Sequence, residues 1–254
     1  MLAKKVLSAL LLLALAGCTS PAPTRPLVAS GHPDWPPVMY VDNGQIDGVG
    51  PALAKLIFAD LGITATFPET GAWDVVQTKA RSGEVDVLVA AYKTTARLDY
   101  MVYCDTYITD PVVLFVKQGH DFAFAKNEDL IGKKGVGTVG DSYGQKFDDF
   151  IKANLQLQRV AGGKEGFDLV ENGQADYFIY SLYAGHEELK TAKREGFSTL
   201  PHYVAEEPFY LAISKQSPYL KYQADINRLI QKYVADGTVA KLIAKYKAQF
   251  HLDQ

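Results

Sequence analysis

The sequence predicts an α/β protein of two lobes with a cleft between them, and three observations predict it. Apolar and turn-forming residues alternate so as to give strand, helix, strand, helix, strand twice along the chain. The turn signals Ser82-Gly83-Glu84-Val85-Asp86 and Asn172-Gly173-Gln174-Ala175-Asp176 stand at corresponding places in the two units. The runs Val85 to Ala91 and Ala175 to Ile179, which follow those signals, are nearly all apolar and read as buried strands, the first a parallel one. Two α/β units joined by extended segments enclose a cleft, which is a favoured place for a ligand, and hinge closure is the motion expected of them.

The elements follow in order. Met1 to Cys18 reads as a signal peptide: Lys4 and Lys5 form its positive start, and Val6 to Ala16 is shorter than the about 20 residues a bilayer-spanning helix needs. Its end, Leu15-Ala16-Gly17-Cys18, resembles a bacterial lipobox, in which the Cys is lipidated and becomes the new N-terminus. The competing reading is an ordinary secretory signal with an incidental Cys. Thr19 to Pro26, rich in Pro, Ser and Thr, suits a tether. Stable anchoring takes two or more acyl chains, which a bacterial lipoprotein of this kind carries.

Leu27 to Ser30 is a short apolar start, and Pro33, Pro36 and Pro37 argue against regular structure just after it. Val38 to Val41 and Gln45 to Gly48 flank Asp42-Asn43-Gly44, a hairpin pattern. Pro51 suits a first helical turn; Leu53, Leu56, Ile57 and Leu61 share a face, and Gly62 closes the helix. Ile63 to Phe67 is a strand and Trp73 to Arg81 a helix. After the buried run, Tyr103 to Ile108 leads to Pro111 and the strand Val112 to Lys117. The second unit is Val136 to Val139 (strand), Gln145 to Ala153 (helix), Leu157 to Val160 (strand), Gly166 to Glu171 (helix) and Ala175 to Ile179 (strand). Tyr183 to Arg194 is helical, Leu200 to Val204 extended, and Phe209 to Ser214 an apolar strand. Two helices end the chain, one with Ile226, Leu229, Ile230 and Tyr233 on a face, the other with Val239, Leu242, Ile243 and Tyr246.

Composition excludes several classes. With 48% apolar and 22% charged residues the 254-residue chain buries a sizeable core and is not a disordered polymer. A formal net charge of −3 argues against a nucleic-acid partner. Loss of Lys4 and Lys5 takes the 26 basic residues to 24 against 29 acidic ones, a mature charge of −5. Two Cys make no disulfide framework; with Cys18 modified, Cys104 is the remaining thiol and reads as a small buried hydrophobe. The five His are scattered, with no metal-ligand spacing, and no cofactor is expected. Gly135-Val136-Gly137-Thr138-Val139-Gly140 spells a dinucleotide fingerprint, but the fingerprint should follow a strand and here it is the strand.

From about residue 27 to 249 the chain resembles the bacterial extracellular solute-binding proteins of family 3, which serve polar amino-acid ABC transporters. The resemblance is carried by Trp35-Pro36-Pro37, Gly44-Gln45-Ile46-Asp47-Gly48, the helix Leu53 to Gly62, Trp73-Asp74, Ser82-Gly83-Glu84-Val85-Asp86, Thr94-Thr95-Ala96-Arg97 and Asp105-Thr106-Tyr107. In the second unit Gly140-Asp141-Ser142 and Gly173-Gln174-Ala175-Asp176 match. It implies the type 2 periplasmic binding fold, each lobe a mostly parallel sheet flanked by helices. Two crossovers would divide it into lobe 1, about 27–112 plus 212–254, and lobe 2, about 113–211. It also implies a monomer in the periplasm or cell envelope, lipid-anchored through Cys18, that delivers a small molecule to a membrane permease.

The resemblance also implies site residues. Arg97 would clamp a ligand carboxylate, a role that suits a guanidinium because it offers two parallel charge-assisted bonds; the alternative is a surface Arg. Thr94, or Thr95 beside it, would support the same carboxylate. Trp35, Trp73, Ala91 and Tyr92 would line the cleft, against the alternative of plain core packing. Two Trp and a Tyr favour an aromatic, apolar or cationic ligand side chain. Gly140, Asp141 and Ser142 stand at a helix start, where N–H groups and a hydroxyl bind an anion or simply cap the helix. Asp141 occupies a position commonly held by a small hydroxyl residue. Family members place an acid for the ligand ammonium at the position of Ser181. Either Asp141, Glu206 or Glu207 substitutes, or the ligand has no ammonium. Asp176 reads as structural.

The leading reading is therefore a binding protein, not an enzyme, for a small carboxylate-bearing solute. A ligand-sensing lipoprotein without a permease is the alternative. Behind both stands a dehydratase-like enzyme using Glu206 or Glu207, for which no nucleophile–base pair or metal motif is seen.

Overall fold

The computed structural model describes residues 24–252. The expected signal peptide, Cys18 and the tether as far as residue 23 lie outside that range. Among the described residues no helix is long and apolar enough to cross a membrane.

The first unit runs β1 (Leu27–Ser30), β2 (Asp34–Trp35), β3 (Met39–Asp42), β4 (Gln45–Asp47), α1 (Val49–Asp60), β5 (Ala65–Thr66), α2 (Trp73–Ser82) and β6 (Val87–Ala91). The hairpin β3–β4 turns at Asn43 and Gly44, both with positive φ (49° and 74°), the conformation of the two-residue turns whose twist matches paired strands. Despite its three prolines, the stretch after β1 forms a strand: Asp34 and Trp35 pair with Tyr40 and Met39. The pair lies between Pro33 and Pro36, so no proline N–H is missing from it. α1 starts two residues ahead of Pro51 and buries Leu53 and Ile57 as expected, whereas Leu56 is 38% exposed.

A four-residue helix, α3 (Thr95–Leu98), then leads into β7 (Met101–Lys117). The second unit is β8 (Gly135–Thr138), α4 (Gln145–Asn154), β9 (Leu157–Val160), α5 (Gly163–Glu171) and β10 (Tyr177–Ser181). It is followed by α6 (Leu182–Thr191), β11 (Phe197–Thr199), β12 (Ala205–Ser214), α7 (Gln223–Ala235) and α8 (Thr238–Gln249). The extended stretch expected at Leu200 to Val204 is displaced: β11 precedes it, and β12 begins at Ala205 rather than Phe209.

The main sheet has the order β5-β1-β6-β12-β7-β10-β8-β9, with β11 on the side of β7. Within each unit the three strands are parallel, β5-β1-β6 and β9-β8-β10. Each trio meets its long crossing strand antiparallel, β6 against β12 and β10 against β7. Where the sequence breaks at Pro111, β7 runs unbroken for 17 residues. Pro111 faces Glu206 of β12, and pairing with β10 begins one residue later, at Val112. The proline therefore falls where the strand takes on its second neighbour.

The two repeated turn signals do the same work. Asp86 accepts the Val28 N–H at 2.9 Å and Asp176 accepts the Lys134 N–H at 2.7 Å, each tying the start of a third strand to the start of a first one. Asp86 also takes Ser217 Oγ at 2.7 Å and the guanidinium of Arg25 at 2.5 and 2.8 Å, so the last residues of the expected tether are fixed to the fold. Cys104 is buried and free, and burial pushes its thiol up to about 12, which leaves it inert at neutral pH.

Candidate functional site

The carboxyl ends of β1, β6 and β8 converge on one cavity, lined by His32, Trp35, Met39, Trp73, Ala91, Tyr92, Arg97, Asp141, Ser142 and Phe209. Its volume is about 20 Å³, room for about one water molecule. Strand ends are where open α/β sheets bind ligands, because the loops that leave them are free of the sheet ladder.

Rings form most of the wall. The His32 ring lies 5.0 Å from Trp35 and 5.7 Å from Trp73, centroid to centroid. Tyr92 stacks on Phe209 at 4.3 Å, and Trp35 meets Tyr180 edge-on at 5.3 Å. Behind the rings stands Asp110, 1% exposed, on β7. Its Oδ2 accepts the Tyr92 hydroxyl at 2.6 Å and Trp35 Nε1 at 3.2 Å, and its Oδ1 accepts the Ser181 hydroxyl at 2.8 Å. Burial pushes the Asp110 carboxyl up to about 6, and its three donors hold it from rising further. The same burial, with Asp110 beside it, drives Tyr92 upward, so the phenol stays protonated and donating.

Arg97 is buried at the end of the short helix α3. Its Nε donates to Gln77 Oε1 at 3.0 Å, one Nη to Tyr92 O at 3.0 Å and the other to Gly140 O at 3.4 Å. The guanidinium lies 5.3 Å from the Trp73 ring centroid, within cation–π range. Among the described residues no carboxylate stands within ion-pair distance of it. Three bonds use three of its five N–H groups.

The β8–α4 turn faces Arg97. Asp141 has a side chain 2% exposed; its Oδ1 lies 3.4 Å from His32 Nε2, and its Oδ2 is buried without a hydrogen-bond donor. His32 Nδ1 accepts the Asp34 N–H at 3.0 Å, so the neutral ring carries its proton on Nε2, toward Asp141. Ser142 does not cap α4, whose N-cap is Gly144: its hydroxyl accepts the Gly144 N–H at 3.2 Å and donates to Asp148, whose other oxygen accepts the Tyr143 N–H at 2.8 Å. Burial raises the Asp148 carboxyl, against those bonds and Arg97.

Contacts between the units close the cleft. Gln77 Nε2 donates to Gly140 O at 3.1 Å, the Thr95 N–H to Gln145 Oε1 at 2.8 Å and the Tyr180 hydroxyl to Asp34 O at 3.3 Å. Outside them a groove of about 530 Å³ holds Thr94 and Thr95 and shares Arg97 and Ser142 with the inner cavity.

Seven of the ten expected site residues therefore meet at the cavity: Trp35, Trp73, Ala91, Tyr92, Arg97, Asp141 and Ser142. Gly140 presents its carbonyl to Arg97 and Gln77. Thr94 caps α3 by accepting the Arg97 N–H at 3.3 Å, while Thr95 is exposed. Ser181 points to Asp110, off the cavity. Glu206 is exposed, and Glu207 packs against Gly144; neither lines the cavity. His32, Met39, Gln77, Asp110 and Phe209 carry no motif. Asp110 alone left a signal, an acid directly ahead of Pro111 and the apolar run Val112 to Val116.

The family model for bacterial extracellular solute-binding proteins, family 3, matches residues 27–249. PatH of Vibrio harveyi, which carries the name of an amino-acid ABC transporter-binding protein, is 29% identical over 192 residues, 72% of this chain and 71% of PatH. The crystal structure of a mutant of ArgBP from T. maritima superimposes with a TM-score of 0.72 at 22% identity, covering 87% of this chain and 95% of that one. A histidine kinase sensor domain with similarity to periplasmic binding proteins gives 0.75 at 19% identity, covering 87% and 96%. At these identities the two structures are alike in fold.

Proposed function

We propose a ligand class and a mode of action for this chain, which belongs to the bacterial extracellular solute-binding proteins, family 3. Its family is one of small-molecule binding proteins that act outside the cytoplasm. In our reading the cavity takes a small carboxylate-bearing solute, an amino acid or a relative of one, and Arg97 binds its carboxylate. One observation carries this: a buried guanidinium opens on an aromatic cavity, with no acid among the described residues within ion-pair distance. A buried cation without an anion is costly, and a ligand carboxylate supplies the anion with up to two charge-assisted bonds. Trp35, Trp73, Ala91 and Tyr92 pack the rest of the solute, and Ser142 bounds it from the second unit.

A cavity of about 20 Å³ is smaller than any amino acid, so the solute enters when the units part and is held when they close. We place the division at 112/113 and 211/212, giving lobe 1 as 27–112 plus 212–254 and lobe 2 as 113–211. Both cuts lie inside the strands the units share, β7 and β12, and Val112 is where β7 first pairs with β10. The closed, loaded monomer, held to the membrane by lipid on Cys18, hands the solute to an ABC permease.

Thermal unfolding of the full chain against amino acids, polyamines, dicarboxylates and sugars tests this reading. A solute at 100 times its dissociation constant adds about 2.7 kcal/mol of stability. The shift should appear with a carboxylate-bearing solute and vanish in Arg97→Ala; a shift confined to sugars or polyamines refutes the clamp. Recovery of a permease with the loaded chain separates transport from sensing.

A further inference from the structure

The cavity is unbalanced on both sides. One wall carries the Arg97 guanidinium without an acid, the other the Asp141 carboxylate with one oxygen, Oδ2, buried and lacking any donor. Elsewhere among the described residues buried carboxylates are satisfied. Asp86 has four donors among Arg25, Val28 and Ser217, and Asp110 has three. An unsatisfied buried carboxylate oxygen is expensive, because the group has left water and received nothing in exchange.

Several acids stand near the cleft, and the structure separates them: Asp34 takes the Tyr180 hydroxyl at 3.4 Å, and Asp148 takes the Ser142 hydroxyl and the Tyr143 N–H. Asp110 has both oxygens filled and lies behind Trp35 and Tyr92. Glu206 is exposed and reaches only the Thr109 hydroxyl, at 3.5 Å. Glu207 is pressed onto Gly144, where even a Cβ would overlap its carboxylate. Asp141 alone lines the cavity. Its Oδ1 faces His32 Nε2 at 3.4 Å, too long for a good hydrogen bond, and that ring is fixed from behind by the Asp34 N–H. His32 thus occupies one side of the carboxylate and leaves the other to whatever enters.

We propose that Asp141 receives the ammonium of a zwitterionic solute whose carboxylate lies on Arg97. The inference rests on the carboxylate-clamp reading above. It assigns the ligand to the amino-acid class through a residue of the β8–α4 turn. An ammonium fits because it offers three donors and a full charge, against the single donor of a neutral imidazole.

Calorimetric titration of the full chain with the twenty L-amino acids, and with their 2-hydroxy-acid counterparts such as L-lactate and L-phenyllactate, tests the assignment. An amino acid should bind about 30-fold or more tightly than its hydroxy acid, and Asp141→Asn should weaken the amino acid by a similar factor and shrink that preference to about threefold. A merely structural Asp141 would weaken both members of a pair alike and keep the preference. A preference that survives in Asp141→Asn, or a wild type that binds the hydroxy acid equally well, overturns the inference and leaves the Arg97 clamp standing. If no carboxylate binds the wild type, clamp and inference fall together. Should Asp141→Asn fail to fold, Asp141→Ser and the wild-type pair comparison decide.

Discussion

The two strand–helix–strand–helix–strand units are built alike and serve the cleft differently. Each has its three parallel strands in the same spatial order, and each ties its third strand to its first with an Asp in the same turn. After its first strand, the first unit gives His32 and Trp35 and the second gives Asp141 and Ser142. After the third strand they part company: β6 delivers Tyr92 and Arg97 to the cavity, whereas β10 ends in Ser181, which turns away to Asp110. Equivalent backbones thus carry opposite charges to the two walls. Strand order fixes where a loop emerges, and the side chains on that loop decide what it offers.

Restoring an acid at the second unit's turn should break the asymmetry at the highest cost. Ser181→Asp sets a second carboxylate beside Asp110, whose Oδ1 is 2.8 Å from the present hydroxyl. Two acids at that distance cannot both ionise in a buried site. A stability loss of roughly 3–5 kcal/mol in urea unfolding at pH 7 is expected, with no gain in ligand affinity. Arg97→Ala attacks the first unit's contribution and should cost roughly 2–5 kcal/mol of affinity for a carboxylate solute by calorimetry; unchanged affinity would remove Arg97 from the site.

Asp110 links the two units, and its charge state sharpens the comparison. Its carboxyl is raised to about 6 in the fold against 3.8 for a free side chain. The stability it contributes is therefore fully present below about pH 4 and is lost as the pH rises through 6. The loss at neutral pH is on the order of 2–3 kcal/mol. In Asp110→Asn that dependence disappears, so the difference in Tm between wild type and variant should shift in favour of wild type as the pH falls from 7 to 5. A difference that stays constant over this range would show that Asp110 titrates normally. Least costly is Gln77→Ala, which deletes the acceptor of Arg97 Nε and the donor to Gly140 O. A loss of about 1 kcal/mol in affinity is expected, with a faster release rate in stopped-flow fluorescence, because the bond between units goes with it.

Much of this was legible in the residues. The apolar periodicity of α7, the Asn43-Gly44 turn and the nearly all-apolar third strands mark their elements because burial and φ > 0 each demand particular residue types at particular spacings. Trp35, Trp73 and Arg97 were identified through motifs whose order matches a family. Leu56 shows the limit of periodicity: it sits on the predicted face, yet the fold leaves it 38% exposed. The break at Pro111 misled because a proline interrupts a ladder only where its N–H is needed, and which strand lies beside it is a tertiary fact.

By itself the sequence determined the α/β class, the doubled unit and the turns that punctuate it, since all of these follow from local chemistry and spacing, while the Arg at the cleft was implied by the resemblance to a family. Tertiary structure decided which acids matter. Asp110, Asp141, Glu206 and Glu207 are the same kind of group in a string of letters. They become a buried anchor, an unsatisfied cavity wall, a solvated side chain and a packed contact only when distant strands set the donors, rings and water around them. The free energy of a charge is fixed by its surroundings, and those surroundings come from residues far away along the chain.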